Sequence, residues 1–152
     1  IGIYLGLENI EVPGATGYFD TDYHAKARYA LKGLKNNDII FIHVEAPDEA
    51  GHAGDIEEKI RAIESIDSKI VGKLLDELPQ FNDYALSILP DHATPINVKT
   101  HTNDPVPYAM MSTNNIGDEV RFYDEFSAKG GSMDIRPGHE FINSFIKYSK
   151  SL

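Results

Sequence analysis

The chain has 152 residues, a formal net charge of −10, 41% hydrophobic and 25% charged residues, which is one domain's worth of protein and enough to bury a core. The acidic balance argues against nucleic acid and anionic membrane as partners, and no apolar run approaches the roughly 18 residues of a membrane span. With no cysteine there is neither a disulfide nor a thiolate metal site, and without a basic-then-apolar leader the expected location is cytoplasmic.

Taken in chain order, residues Ile1 to Val12 read as one or two short strands, closed by the turn signal Pro13-Gly14-Ala15-Thr16-Gly17. Apolar residues at Ala27, Ala30, Leu31 and Leu34 recur at three and four, predicting a helix over 22–34 that Asn36-Asn37-Asp38 ends. Ile39 to Val44 is a mostly apolar, β-branched run and predicts a strand buried on both faces of a parallel sheet. A long helix follows. Ile56, Ile60, Ile63, Ile66, Ile70, Leu74 and Leu78 keep the helical period, Asp55 with Glu58 makes a capping-box-like start, and Pro79 ends it.

Tyr84 to Leu89 predicts a second buried strand, completing a right-handed βαβ unit. Val106 to Met111 reads as a third strand, placed at an edge or bulge because Pro107 withholds a ladder donor. Arg121-Phe122-Tyr123 reads as a short strand, Gly130-Gly131-Ser132 as a flexible link, and Glu140 to Tyr148 as a closing helix. The expected fold class is α/β, a mostly parallel sheet with flanking helices.

In open parallel sheets, ligands bind beyond the carboxyl ends of the strands. The strand ending at Val44 runs into Glu45 and then Asp48 and His52; the strand ending at Leu89 runs into Asp91 and His92, and His101 follows within one loop. Each motif alone is ordinary, since Asp readily caps turns. Together they deliver carboxylate and imidazole to one edge, the donors suited to Mn²⁺, Zn²⁺, Co²⁺ or Fe²⁺. Five such residues exceed the needs of a single catalytic ion, which points to two metals about 3.5–4 Å apart, a common device for phosphoryl transfer.

Other polar residues take plainer readings. His43 is expected in the core as a hydrogen-bonded histidine behind the ligands, His24 and His139 at helix starts, and Lys99 on the surface. Glu45 and Glu49 are expected on a solvated loop, and Glu57 and Glu58 at a helix N-terminus. Four scattered arginines, Arg28, Arg61, Arg121 and Arg136, form no phosphate clamp, so a phosphorylated substrate would be gripped elsewhere.

The segments His43 to His52, Pro90-Asp91-His92-Ala93-Thr94-Pro95 and Thr100 to Pro107 resemble, in order, signature segments of the archaeal-type cofactor-independent phosphoglycerate mutases of the alkaline phosphatase superfamily. Glu11 to Gly17 and Tyr123 to Ser127 resemble the family more loosely. The resemblance implies that Asp48, His52 and His101 hold one divalent metal and Asp91 and His92 a second. Manganese is typical of the family, with zinc, cobalt or magnesium as alternatives. It also implies that residues 1–152 are the C-terminal portion of an alkaline-phosphatase-like domain, a reading that a first residue of Ile1 rather than methionine supports. The N-terminal portion, the inserted domain and the nucleophilic serine would then lie outside the chain, which alone would be inactive.

The implied activity is interconversion of 3-phosphoglycerate and 2-phosphoglycerate through a phosphoserine, a step of glycolysis and gluconeogenesis. The implied partners are a phosphorylated small molecule and the missing N-terminal part or another copy of the chain. A homoserine-kinase-like phosphotransferase of the same superfamily is the alternative. A non-enzymatic metal-binding module is a third reading, which the unfinished second ligand set disfavours.

Overall fold

A computed structural model describes residues 2–113, 115 and 117–150, so Ile1, the start of the first expected strand, lies outside the described residues. The chain divides into two compact units, Ile1–Leu78 and Pro79–Leu152.

The first unit is helical. Helix α1 (Tyr23–Gly33) starts where the Asp22 side chain accepts the Ala25 N–H at 2.8 Å, satisfying one of the donors a helix start leaves open. After α2 (Ala46–Ala53), helix α3 (Ile56–Ser65) opens with the Asp55 carboxylate accepting the Glu58 N–H at 2.9 Å, the cap its sequence predicts. A π-helical turn, Ile66–Val71, then joins α3 to α4 (Gly72–Glu77), and a 3₁₀ turn closes the run at Leu78–Gln80. Alanines dominate the buried side chains: Ala25, Ala27 and Ala30 let α1 lie close to α4 and the π turn, with Leu31, Ile70 and Leu74 beside them.

The predicted long helix is therefore present, but its apolar stripe is not buried throughout. Ile70, Leu74 and Leu78 are buried, whereas Ile56, Ile60 and Ile63 are 60, 51 and 51% exposed. A π turn puts extra backbone into one turn and so rotates the face that follows. A stripe with an uninterrupted helical period then cannot face one side along its whole length.

Two strand expectations fail in this unit. Residues 3–5 form an exposed 3₁₀ turn, and Ile39 to Val44 has no strand partner among the described residues, with Phe41 65% exposed. Strand formation needs a neighbouring backbone, and this unit offers helices. The two apolar segments meet instead over the end of α1. A Cβ at Gly33 would lie 2.6 Å from Ile10 Cδ1 and 3.0 Å from Ile40 Cδ1, so a side chain there would collide with both. The turn after Val12 forms as predicted, with the Ala15 N–H donating to the Val12 carbonyl at 3.0 Å.

In the second unit β1 (Ala85–Ile88) pairs antiparallel with β2 (Ala109–Ser112), in the register Ala85↔Ser112 to Ile88↔Ala109. The α/β character holds, but a parallel sheet and its βαβ crossover are not seen among the described residues, because β1 pairs with the later strand and the earlier segment pairs with none. β2 begins beyond Pro107, where ladder donors become available again.

Arg121 to Tyr123 is irregular, with Phe122 exposed. The glycine link is pinned rather than free: the Asp118 carboxylate accepts N–H bonds from Val120 at 3.0 Å and Ser132 at 2.8 Å. The closing helix is α5 (Phe141–Lys150), preceded by a 3₁₀ turn at Gly138–Glu140, and Phe141 meets Tyr108 edge-on with ring centroids 5.5 Å apart.

Candidate metal centre

The stretch expected as a loop after Val44 is helix α2. Pro47 sits in its first turn, where the missing N–H costs nothing, and Gly54 ends it at φ +74°, donating to the Ala50 and Gly51 carbonyls. The Pro-to-Gly framing and the four-residue spacing of Asp48 and His52 were the signals of a helix. One helical turn brings the two side chains together, with His52 Nε2 3.2 Å from Asp48 Oδ2. Ligand bonds of about 2.0–2.2 Å separate two donors on one tetrahedral or octahedral ion by roughly 3.0–3.4 Å. The pair therefore fits a shared cation as well as it fits a shared proton.

The segment leading into α2 is held from α1. Lys26 Nζ donates to the His43 carbonyl at 2.8 Å, and burial lowers the pKa of this ammonium while the Glu45 carboxylate opposes that shift. His43 is not in a core; its side chain is 67% exposed and its Nε2 lies 2.6 Å from Glu45 Oε1. Sequence reasoning missed Lys26, because a lysine on the polar side of a predicted helix carries no sign of the carbonyl it reaches. Glu57 and Glu58 form the helix start as read, with Arg61 reaching both at 3.4 and 3.3 Å. Glu49 lies in the first turn of α2 rather than on a loop.

In the second unit Asp91 and His92 follow β1 by way of Leu89-Pro90. An isolated antiparallel bridge pairs Ala93 with Thr102, and the Thr102 N–H donates to the Ala93 carbonyl at 3.0 Å. Each partner of that bridge is adjacent to a histidine. The bridge thus stacks His92 on His101, ring centroids 3.7 Å apart and planes 29° from parallel. His92 Nδ1 lies 3.2 Å from Thr94 Oγ1, which occupies that nitrogen and leaves Nε2 as the donor for a metal; Nε2 is 3.6 Å from Asp91 Oδ2. Asp91 is the more open of this pair, its side chain 73% exposed against 30% for His92.

Tyr123 braces this region. Its hydroxyl donates to the Pro107 carbonyl at 3.1 Å and lies 3.4 Å from the Ile88 carbonyl, tying the end of β1 to the segment that follows His101. Although Tyr123 as a whole is 45% exposed, partial desolvation of its phenol, with Glu125 adding to it, raises the phenol's pKa. Thr94 and Tyr123 went unread as supports because their partners are backbone carbonyls and a ring nitrogen, which leave no pattern in sequence. Lys99 adopts φ +59°, and His139 stands exposed beside Glu140 at 3.8 Å, both outside the ligand set.

Both candidate groups are thus carboxylate-plus-imidazole sets on short, braced segments, a donor chemistry that supports divalent metal binding. Among relatives, the chain is 53% identical over 142 residues to a protein of Methanothermobacter thermautotrophicus named 2,3-bisphosphoglycerate-independent phosphoglycerate mutase 2, covering 93% of this chain and 35% of that one. It is 50% identical over 149 residues to the 2,3-bisphosphoglycerate-independent phosphoglycerate mutase of Methanosarcina acetivorans, covering 97% of this chain and 38% of that one. The solved structure of the PH0037 protein from Pyrococcus horikoshii matches with a TM-score of 0.88 at 30% identity, covering 97% of this chain and 44% of that one. The chain thus spans little more than a third of the length of these curated relatives. A model of the Metalloenzyme superfamily matches residues 2–140, and the chain belongs to that superfamily.

Proposed function

We propose that this chain is the metal-ligand-bearing, C-terminal portion of a 2,3-bisphosphoglycerate-independent phosphoglycerate mutase. The observation that carries the proposal is the order and spacing of the ligand sets, Asp48 with His52 on one turn of α2 and Asp91, His92 and His101 gathered by the Ala93–Thr102 bridge, in a chain 53% identical to a protein of that name. In this reading Asp48, His52 and His101 hold one ion and Asp91 and His92 hold part of the shell of a second. The ions are two divalent cations, manganese first, with zinc, cobalt or magnesium as alternatives.

When bound, a pair of divalent ions stabilises charge on the attacking and leaving oxygens of a phosphoryl transfer. The residues of this chain hold and orient. α2 fixes the Asp48–His52 pair, Thr94 sets which His92 nitrogen points outward, and Tyr123 keeps β1 and the segment after His101 in register. The nucleophilic serine, the arginine clamp and the inserted domain belong, in this proposal, to the larger share of the relatives' length that the chain does not span. The substrate is a phosphorylated small molecule, turned over in the cytoplasm as a step of glycolysis and gluconeogenesis.

Calorimetric titration with Mn²⁺ tests the ligand assignment. The chain is expected to bind Mn²⁺, and the double variant Asp48→Ala, His52→Ala is expected to lose that binding; equal binding by both would remove α2 from the site. The activity is tested on the native polypeptide purified from its source with Mn²⁺. Conversion of 3-phosphoglycerate to 2-phosphoglycerate is expected, and ATP-dependent phosphorylation of homoserine without it would replace the mutase reading by the kinase-like one.

A further inference from the structure

The second unit carries a cationic cleft that takes no part in the proposed metal chemistry. It has a volume of about 350 Å³ and is lined by Arg136, Ser144, Lys147 and Tyr148. That volume lies at the small end of the range for ligand sites, which runs from roughly 300 to 1,000 Å³.

The arginine in it is fixed by neutral groups. Arg136 Nη1 donates to Ser144 Oγ at 2.5 Å and Nε donates to the Tyr108 hydroxyl at 3.3 Å. Each of those oxygens gives its own proton elsewhere: Tyr108 donates to the Asp134 carbonyl at 2.8 Å, and Ser144 to the Glu140 carbonyl at 3.1 Å. Both therefore turn lone pairs toward the guanidinium, positioning it without neutralising it. A guanidinium has five N–H donors, so this arrangement leaves several for a ligand.

Lys147 adds a second charge from α5, and no described carboxylate forms an ion pair with either cation. An acidic chain with 24 Asp and Glu against 14 Lys and Arg could readily have supplied one. Basic residues in the last turn of α5, Lys147 and Lys150, offset the negative end of the helix dipole. That accounts for neither Arg136, which precedes the helix, nor the two hydroxyls that hold it.

We propose that this cleft is a binding site for a small oxyanion, a phosphate monoester or carboxylate, gripped by the Arg136 fork and the Lys147 ammonium. An arginine presents paired donors to two oxygens at once, and a lysine adds a point charge that follows the anion. The Tyr148 ring and the methylene stems of the two cations give the cleft an apolar wall for the body of such a ligand.

The experiment is a titration of the chain with inorganic phosphate, and separately with acetate, followed by ¹H–¹⁵N NMR at constant ionic strength. The chain is first stripped of metal on a chelating resin and exchanged into chelator-free, anion-poor buffer, so that no metal-held phosphate contributes. Saturable shifts at Arg136, Ser144 and Lys147 are expected with phosphate, weakened at least tenfold in Arg136→Gln and severalfold in Lys147→Gln, and unchanged in the control Lys150→Gln. Lys147 has no described hydrogen-bond partner to lose, so its variant reads ligand contact rather than folding. Preference for phosphate over acetate would assign the site to phosphate esters, and equal affinity would assign it to oxyanions generally. Absence of saturable shifts, or shifts indifferent to both variants, would overturn the proposal.

Discussion

Asp118 and Asp124 show how single side chains hold the irregular part of the second unit. The Asp118 carboxylate is kept below its ordinary value by the Ser132 N–H first and the Val120 N–H next; the backbone N–H of Ser127 does most for Asp124, whose carboxylate also accepts from the Ser127 hydroxyl at 2.8 Å and the Phe126 N–H at 2.9 Å. In both, the folded pKa lies below the ordinary 3.8, so the unfolded chain takes up the proton first as the solution is acidified. The stabilisation is complete above that ordinary value and is lost as pH falls from there through the folded value. Both groups are solvent-exposed, so only the shape of the profile is predicted. Thermal midpoints measured between about pH 5 and 3 should fall more steeply for the natural chain than for Asp118→Asn, Asp124→Asn; superimposable profiles would show that neither carboxylate's charge matters to folding.

Elements differ in how much of their stability they carry with them. Helices α1, α3 and α5 bring their own hydrogen bonds, and two of the three begin where a side chain caps them: Asp22 for α1 and Asp55 for α3. Their tertiary burial is thin, because alanine supplies most of it and among the described residues no large side chain is completely enclosed. Leu74, 4% exposed at the contact of α4 with α1, is one of the few long side chains in that core. Leu74→Ala should cost about 2–5 kcal/mol, the usual range for emptying a leucine site. Urea unfolding followed by far-ultraviolet circular dichroism measures it, and a loss below about 1 kcal/mol would show that α4 does not anchor the first unit.

At the scale of the whole molecule, ligand binding and folding are one equilibrium, since an ion held by α2 binds only where α2 is folded. At a hundred times its Kd such an ion adds about 2.7 kcal/mol. For a chain of this size that raises the midpoint by roughly 5–10 °C. Differential scanning fluorimetry should show the rise with Mn²⁺ in the natural chain and none in Asp48→Ala, His52→Ala; an equal rise in both would place the binding elsewhere.

The helices, their caps and the identities of the metal-type donors were legible from the amino-acid order, because helical hydrogen bonds and capping contacts join residues three or four apart and leave a period to read. Even α2 had its signals, Pro47 ahead of Asp48 and His52 with Gly54 behind, masked by the expectation of a strand before it. Strands are different. Ile39 to Val44 has the composition of a buried strand, yet it has no described partner, while β1 pairs antiparallel with a segment more than twenty residues on; partner and direction depend on backbone brought from a distance. The same holds for the turn of the isoleucine stripe at the π turn, the stacking of His92 on His101 across the Ala93–Thr102 bridge, and the carbonyls that Lys26 and Tyr123 reach. Each is a contact between segments whose approach no local pattern encodes, and only the tertiary structure decided them.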